Sequence, residues 1–356
     1  MRIGIDGREL CGRVTGVGRY LQGLLDAWSR LPSAARHEFV VYTCCALHPS
    51  PADYLRCHVI SGLNGTVWEQ VRVPLQARRD RLDLFFAPGY TAPLLLGCPY
   101  VVTVHDVSFA AHPEWFRGRE GIRRRWVTRL AARHARLVLT DSSFGKTELV
   151  KYLNVRDDRV RVISPGLRMR AQKATPREPL VLFVGSIFNR RRLPDLIRAF
   201  ALVARRRPPV RLTIVGDDRT YPTQDLRAVA EHEGVADRVS VRPYAAEVEL
   251  DELFSRASVF AFLSEYEGFG FTPLEALAAG VPIVVGDTRV AREVYDGAAR
   301  YVPIADVTAC AVALEALLFD EAARVDLLTN APAVLSRYGW DRAAAQTLAA
   351  FEAAAG

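Results

Sequence analysis

Residues 258–285 read Ser-Val-Phe-Ala-Phe-Leu-Ser-Glu-Tyr-Glu-Gly-Phe-Gly-Phe-Thr-Pro-Leu-Glu-Ala-Leu-Ala-Ala-Gly-Val-Pro-Ile-Val-Val. An apolar strand is predicted over 258–262, followed by a glycine-rich loop. Because proline suits the first position of a helix and Gly280 its C-terminal stop, a helix is predicted over 273–279. A second apolar strand at 283–285 completes a strand–loop–helix–strand unit, which is typical of a parallel sheet covered by helices.

Both halves of the chain alternate strands and helices in this way. Strand-like runs occur at 2–5, 39–43, 83–86, 100–104, 137–140, 180–184, 210–215, 239–241, 258–262 and 283–285. Helical patterns in the second half occupy about 193–206, 223–233, 248–256 and 307–318. The stretch 165–179 has the composition of a linker. We therefore expect an α/β fold with two Rossmann-like domains facing a central cleft, with ligands at the carboxyl ends of the strands.

Composition excludes several classes of protein. Of the 356 residues, 50% are hydrophobic and 24% charged, which is typical of globular rather than disordered or fibrous chains. The six cysteines show no Cys-x-x-Cys spacing, so neither a zinc site nor a disulfide framework is expected. No run of about 20 apolar residues occurs, and Met1 leads straight into a strand, so we expect neither a membrane span nor a secretory signal. A cytoplasmic protein is predicted.

Charge differs between the halves. Residues 1–170 carry 26 Lys and Arg against 15 Asp and Glu, a net charge of +11, whereas residues 171–356 carry 21 against 25, a net charge of −4. A basic first half favours an anionic partner, such as a membrane surface, a phosphorylated substrate or nucleic acid.

The loop after the first strand contains Gly16 and Gly18, and a helix follows it. Glycine lets backbone approach a ligand closely, and helix N-termini attract anions, although a plain tight turn explains the glycines equally well. A dinucleotide fingerprint is disfavoured, because Leu21 stands at its third glycine and Thr43 where it needs an acid.

Three side chains are candidates for chemistry. His105 follows a strand at 100–104, where a functional or a structural histidine is possible. Glu267 lies among glycines beside a helix start, where backbone amides at 270–272 can bind an anion. Glu275 has an alternative explanation, because Thr272-Pro-Leu-Glu275 is a capping-box pattern in which the carboxylate serves only the helix N-terminus.

Together these motifs resemble the retaining glycosyltransferases of family 4, which have the GT-B fold. Glu267 and Glu275 match the E-x7-E signature, and the segment 184–193 (Val-Gly-Ser-Ile-Phe-Asn-Arg-Arg-Arg-Leu) resembles the Val-Gly-Ser-x-x-x-Arg-Lys-Asn-Leu stretch of an Arg-Lys-Asn-type subgroup. Asp6-Gly-Arg8, Thr15-Gly-Val-Gly-Arg-Tyr20, Val104-His-Asp106 and Tyr338-Gly-Trp340 also match. The resemblance covers essentially the whole chain.

The resemblance implies a division of labour between the domains. Residues 1–168 would bind the acceptor, joined by a C-terminal helix 340–356 that crosses back, and residues 178–339 would hold a nucleotide sugar. Glu267 would lie beside the donor sugar, Glu275 would bind the ribose hydroxyls, and His105 would contact the sugar. The diphosphate would be bound by Arg190 and Arg191, with further donor contacts from Gly16, Gly18, Phe269, Gly270, Phe271 and Thr272.

Two departures from the family pattern affect the diphosphate. Arg191 replaces the family lysine, so the cation is planar and bidentate. Ser186 stands where many members carry arginine.

The implied reaction moves a hexose from a nucleotide-diphosphate sugar to a glycan or lipid-linked acceptor in polysaccharide biosynthesis, with retention of configuration. The subgroup resembles bacterial mannosyl- and rhamnosyltransferases, which favours GDP-mannose, with a UDP-sugar as the alternative. No Asp-x-Asp triplet occurs, so neither a metal ion nor another cofactor is expected. A sugar-nucleotide epimerase is the other enzymatic alternative.

The sequence also leaves open a different class of protein, one that binds membrane surfaces through basic residues. Residues 117–136 contain eight arginines around an apolar seam of Ile122, Trp126 and Leu130. The seam can either pack the helix onto the protein or contact a membrane, which would make the protein peripheral at the inner face of the cell membrane. Aromatic–glycine patterns of RNA-binding modules are absent, so a nucleic-acid partner is not expected.

Overall fold

The structure is a computed structural model that describes residues 1–12, 16–47, 55–62, 65–169 and 176–356. It divides into two compact units, the first comprising Met1–Pro113, Gly118–Gly166 and Tyr338–Gly356, and the second Glu114–Arg117 and Leu167–Arg337. Residues 114–117, inside the predicted range 1–168, thus group with the second unit, where the Trp115 ring lies edge-on to Tyr266. Of the predicted linker 165–179, residues 170–175 fall outside the described ranges.

The first unit contains a seven-stranded parallel sheet. Its strands are β1 (Arg2–Asp6), β2 (Glu38–Thr43), β3 (Leu55–Val59), β4 (Leu84–Ala87), β5 (Tyr100–Thr103), β6 (Leu137–Thr140) and β7 (Val160–Val162), in the order β3-β2-β1-β4-β5-β6-β7. Every pairing is parallel. The helices are α1 (Gly16–Trp28), α2 (Val73–Asp80), α3 (Ser108–Ala111), α4 (Gly118–His134) and α5 (Ser143–Leu153).

The second unit contains a six-stranded parallel sheet. Its strands are β8 (Glu178–Val184), β9 (Arg211–Val215), β10 (Val239–Arg242), β11 (Ala257–Phe262), β12 (Ile283–Gly286) and β13 (Ala299–Val302), in the order β10-β9-β8-β11-β12-β13. Its helices are α6 (Leu193–Arg206), α7 (Leu226–His232), α8 (Glu247–Arg256), α9 (Phe271–Ala278), α10 (Arg289–Tyr295), α11 (Val307–Phe319), α12 (Glu321–Thr329) and α13 (Ala331–Leu335). Both strand orders are Rossmann-like, so the predicted α/β class with two such domains is confirmed.

The last helix, α14 (Trp340–Ala355), belongs to the first unit, as predicted. The indole Nε1 of Trp28 donates to the carbonyl of Ala344 at 3.0 Å, and the Phe351 ring packs 4.9 Å from that of Phe86. A Cβ on Gly23 of α1 would overlap the Trp340 ring. Glycine at position 23 therefore lets α1 and α14 approach closely enough to pack in one hydrophobic core.

Two devices fix the C-terminal end of α9. Gly280, at φ +71°, donates to the carbonyl of Leu277, and Val281 donates to that of Ala276, which together form a Schellman motif. The guanidinium of Arg177 donates to the carbonyls of Ala279 and Gly280 and also to those of Phe254 and Ala257 at the end of α8. One half-buried cation thus satisfies carbonyls that two helix ends leave open.

Within the described ranges, no helix combines the length and apolar character needed to cross a membrane.

Candidate active site

The loop after β8 places two arginines at the carboxyl edge of the second sheet. Asn189–Arg191 forms a short 3₁₀ turn. Gly185 adopts φ +146°, and a Cβ there would overlap the Nη1 of Arg191. A Cβ on Gly216 would in turn overlap the carbonyl of Gly185. Glycine at these two positions therefore leaves room for the guanidinium of Arg191.

The loop after β11 brings Glu267 to the same place. The backbone amide of Glu265 donates to the carbonyl of Arg190 at 2.9 Å, which ties the two loops together. The Oε1 of Glu267 accepts from the Oγ of Ser264 at 2.7 Å and from the Nε of Arg191 at 3.1 Å. The Nε of Arg190 lies 3.8 Å from the same oxygen. Two guanidinium groups thus share one carboxylate oxygen.

The side chain of Arg191 is largely buried, 13% exposed, and packs against aromatic rings. Its Cζ lies 4.8 Å from the centroid of the Phe262 ring and 5.9 Å from that of Phe183. Burial lowers the pKa of Arg191, the carboxylate of Glu267 raises it, and the neighbouring charge of Arg190 lowers it further. Its two terminal nitrogens donate to no acceptor on the described residues, so their N–H groups can bind a ligand.

The helix α9 begins at Phe271, two residues before the predicted Pro273. Its N-cap is Gly270, at φ +95°, and no side chain caps it. Thr272 therefore lies inside the helix and is not its N-cap, so the Thr-x-x-Glu stretch does not form a capping box here, and the role of Glu275 stays a prediction. The hydroxyl of Tyr295 donates to the carbonyl of Gly270 at 3.0 Å, and a Cβ on Gly270 would overlap that hydroxyl.

The second unit therefore collects most of the predicted site residues at one edge of its sheet. A concave space of about 210 Å³ opens beside Glu267 and is also lined by Ser264, Phe269, Thr288, Ala291 and Tyr295. Glu275 is buried in α9, and the Phe269 ring packs 5.2 Å from that of Phe271. Sequence reasoning missed Ser264 and Tyr295. Ser264 lies two residues after a predicted strand and could have been found, whereas Tyr295 is distant in sequence.

His105 lies in the first unit, after β5. Its Nε2 donates to the carbonyl of Pro88 at 2.9 Å, and its Nδ1 lies 2.8 Å from the Oδ2 of Asp141. Burial opposes the charged ring, but Asp141 and the Pro88 carbonyl outweigh it and raise the pKa of His105. With both nitrogens engaged, His105 would act on a substrate through its positive charge rather than through a free ring nitrogen.

The predicted glycines differ in their surroundings. Gly16 begins α1, and a Cβ there would meet no atom of the described residues within 4 Å. Packing therefore does not require glycine at 16, and its role toward a ligand stays a prediction. Gly18 is buried in α1. Thr15 of the same motif lies outside the described ranges.

A polar cluster that includes one residue missed by sequence reasoning occupies the end of β1. The Nη2 of Arg8 lies 2.6 Å both from the Oδ2 of Asp6 and from the Oε1 of Glu69, and the hydroxyl of Thr91 donates to that Oε1. Burial raises the pKa of Asp6, Arg8 lowers it, and Glu69 raises it again. Two acidic side chains thus hold the Arg8 cation at this edge of the first sheet. No local sequence pattern had indicated Glu69.

We expect Asp141→Asn to lower the pKa of His105. Because the folded-state pKa is raised, the stabilisation from protonated His105 is complete below the ordinary histidine pKa of about 6.5 and is lost as the pH rises through the raised value. The free energy of unfolding should therefore fall less with rising pH in Asp141→Asn than in wild type. NMR titration of the ring and urea denaturation across pH measure both quantities. With His105→Gln as the control, equal pH dependence in all three proteins would contradict the assignment.

Comparison with known proteins identifies the family. The family described as glycosyl transferases group 1 matches residues 168–334, and glycosyltransferase family 4 matches residues 14–170. D-inositol 3-phosphate glycosyltransferase of Arthrobacter sp. (strain FB24) is 30% identical over 353 residues, covering 86% of this chain and 82% of that one. O-antigen chain mannosyltransferase B of Escherichia coli is 25% identical over 296 residues, covering 78% and 76%.

Among solved structures, sucrose-phosphate synthase from Thermosynechococcus elongatus aligns with a TM-score of 0.78 and 18% identity, covering 99% of this chain and 98% of that one. This likeness supports the fold. With the two family matches and the 30% identical relative, the chain belongs to the group 1/family 4 glycosyltransferases and is a transferase enzyme.

Proposed function

We propose that the protein transfers a hexose from a nucleotide-diphosphate sugar to a glycan or lipid-linked acceptor in polysaccharide biosynthesis, with retention of configuration. GDP-mannose is the first candidate donor, and the relative named as an O-antigen chain mannosyltransferase supports it. A UDP-sugar is the alternative. The relative named as a D-inositol 3-phosphate glycosyltransferase favours a small polyol phosphate as a second candidate acceptor.

Arg191 is the observation that carries the proposal. Its Nε is held by Glu267 and its Cζ lies over the Phe262 ring, while the terminal N–H groups have no acceptor on the described residues. A guanidinium held in this way matches the geometry of phosphate oxygens. We infer that Arg191, with Arg190 beside it, binds the diphosphate of the donor.

The same groups would assist departure of the leaving group. Breaking the sugar–phosphate bond places negative charge on the departing oxygen, and fixed donors aimed at that charge lower the barrier. The first amides of α9 have no acceptor within the helix, and the helix dipole adds to their attraction for an anion. Under this proposal Glu267 stabilises positive charge on the sugar, the leaving phosphate acts as base on the same face, and His105 contacts the sugar.

Substitutions of Glu267 and Glu275 should have different kinetic effects. Glu267→Gln should lower kcat by about two orders of magnitude, roughly 3 kcal/mol in barrier, because its charge matters most where charge develops on the sugar. Glu275→Gln should mainly raise the donor KM, because contacts to the ribose persist in ground and transition states alike. Steady-state rates and calorimetric titration of sugar nucleotides measure both effects.

Glu178→Gln is the matched control, because Glu178 is paired with Arg256 at the amino end of β8. It should leave kcat and KM unchanged. Wild-type turnover by both Glu267→Gln and Glu275→Gln would refute the proposed site. Conversion of the donor without an acceptor, giving an isomeric sugar nucleotide, would indicate an epimerase instead.

We further propose that transfer needs no divalent metal, since Arg190, Arg191 and the N-terminus of α9 can supply the positive potential that a metal ion would. Activity should be undiminished in excess EDTA, measured as nucleotide release in the presence of acceptor. Loss of turnover on chelation, followed by recovery with Mg²⁺ or Mn²⁺, is the contrary result.

A further inference from the structure

The helix α4 carries its large apolar side chains on the outside. It packs on the first unit through small residues, namely Gly121, Thr128, Ala131 and Ala132. Ile122, Trp126 and Leu130, spaced four residues apart, are instead 61%, 60% and 37% exposed. The interpretation that this seam attaches the helix to the protein is therefore wrong, because the seam points away from the surface that the helix covers.

A second exposed apolar row lies on a helical segment that a hydrogen bond links to α4. Val67, Val71 and Leu75 have the same four-residue spacing and are each about half exposed, on the helical segment that runs through Trp68–Arg72 into α2. The Nη1 of Arg123 on α4 donates to the Oγ1 of Thr66 at 3.2 Å. This bond links α4 to the start of the second segment. We call the six residues of these rows the apolar–arginine face.

Arginines surround this face. Those exposed on the two helical segments are Arg72, Arg78, Arg79, Arg119, Arg123, Arg124, Arg125 and Arg133. Glu120 is the one acidic residue of α4. On the other segment, Glu69 is buried and bonded to Arg8, and Asp80 at the end of α2 accepts hydrogen bonds from Tyr42 and Gln76. The face therefore combines exposed apolar side chains with positive potential that nearby acids do little to cancel.

We propose that the apolar–arginine face docks on an anionic membrane surface. Trp and aliphatic side chains enter the boundary between headgroups and acyl chains, while arginines keep their charge at the phosphates through long apolar stems. A second copy of the chain is a poor occupant, because two such faces would bring like charges together. The proposal depends on neither the donor nor the acceptor proposed above.

Vesicle flotation tests the proposal with the full chain. Wild type should bind phosphatidylcholine vesicles that contain phosphatidylglycerol, bind pure phosphatidylcholine vesicles weakly, and lose affinity as salt increases. Arg119→Gln/Arg133→Gln should weaken binding about 25-fold, at about fivefold for each arginine. Ile122→Ser/Trp126→Ser should weaken it at least about tenfold by removing buried apolar area. All these side chains are exposed, and thermal unfolding confirms that the variants fold.

Matched controls lie on the second unit. Val248→Ser/Val312→Ser removes two exposed apolar side chains, and Arg227→Gln/Arg300→Gln removes two exposed arginines. Both should bind vesicles like wild type, and all four double variants should retain transfer to a water-soluble acceptor.

Three results would overturn the proposal. Wild type could fail to bind anionic vesicles at low salt, or all variants could bind equally. Alternatively, light scattering could show a wild-type dimer that Ile122→Ser/Trp126→Ser dissociates, without vesicle binding, which would make the face a contact between copies. None of these results bears on transfer with soluble acceptor, so the proposed function is tested separately.

Discussion

The largely buried guanidinium of Arg191 is the constraint on which the second unit's site depends. Removing a cation from water costs several kcal/mol unless nearby groups compensate it. One Glu267 oxygen and the face of Phe262 provide that compensation. The same placement requires glycine at 185, because a side chain there would occupy the space of the guanidinium. Ser264 and the backbone bond from Glu265 to Arg190 then hold the carboxylate and both loops in position.

The carboxyl edges of the two sheets differ in electrostatic character. This difference does not follow the net charges of the two halves of the chain. In the basic first half, the cations at this edge are held by acids: Arg8 by Asp6 and Glu69, and His105 by Asp141. Eight of its exposed arginines lie away from this edge, on α4 and the segment leading into α2. In the acidic second half, Arg190 and Arg191 converge on one carboxylate oxygen beside the N-terminus of α9. The anion-binding chemistry of the site is therefore local and does not follow net charge.

Sequence reasoning was accurate where burial is complete and inaccurate where it is partial. The central strands are continuous apolar runs and were predicted, whereas β3, β7 and β13 lie at sheet edges, are only partly buried, and were missed. The remaining edge strand, β10, is the exception, because it was predicted although none of its residues is fully buried. The start of α9 was misplaced because Pro273 was taken as the first helical residue, although the left-handed Gly270 had already begun the helix. The spacing of Ile122, Trp126 and Leu130 predicted a seam, but only the packed Gly121, Ala131 and Ala132 show which way it faces.

Calorimetry tests the central claim most directly. GDP, UDP and the nucleoside of each are titrated separately into wild type and into Arg191→Gln. The nucleoside serves as the internal control, because it lacks the diphosphate that Arg191 is proposed to bind. We expect one nucleotide to bind wild type at least about 100-fold more tightly than its nucleoside, a difference of about 2.7 kcal/mol. Most of that difference should vanish in Arg191→Gln while nucleoside affinity is kept. Equal loss for nucleotide and nucleoside, or no loss for either, would contradict the account.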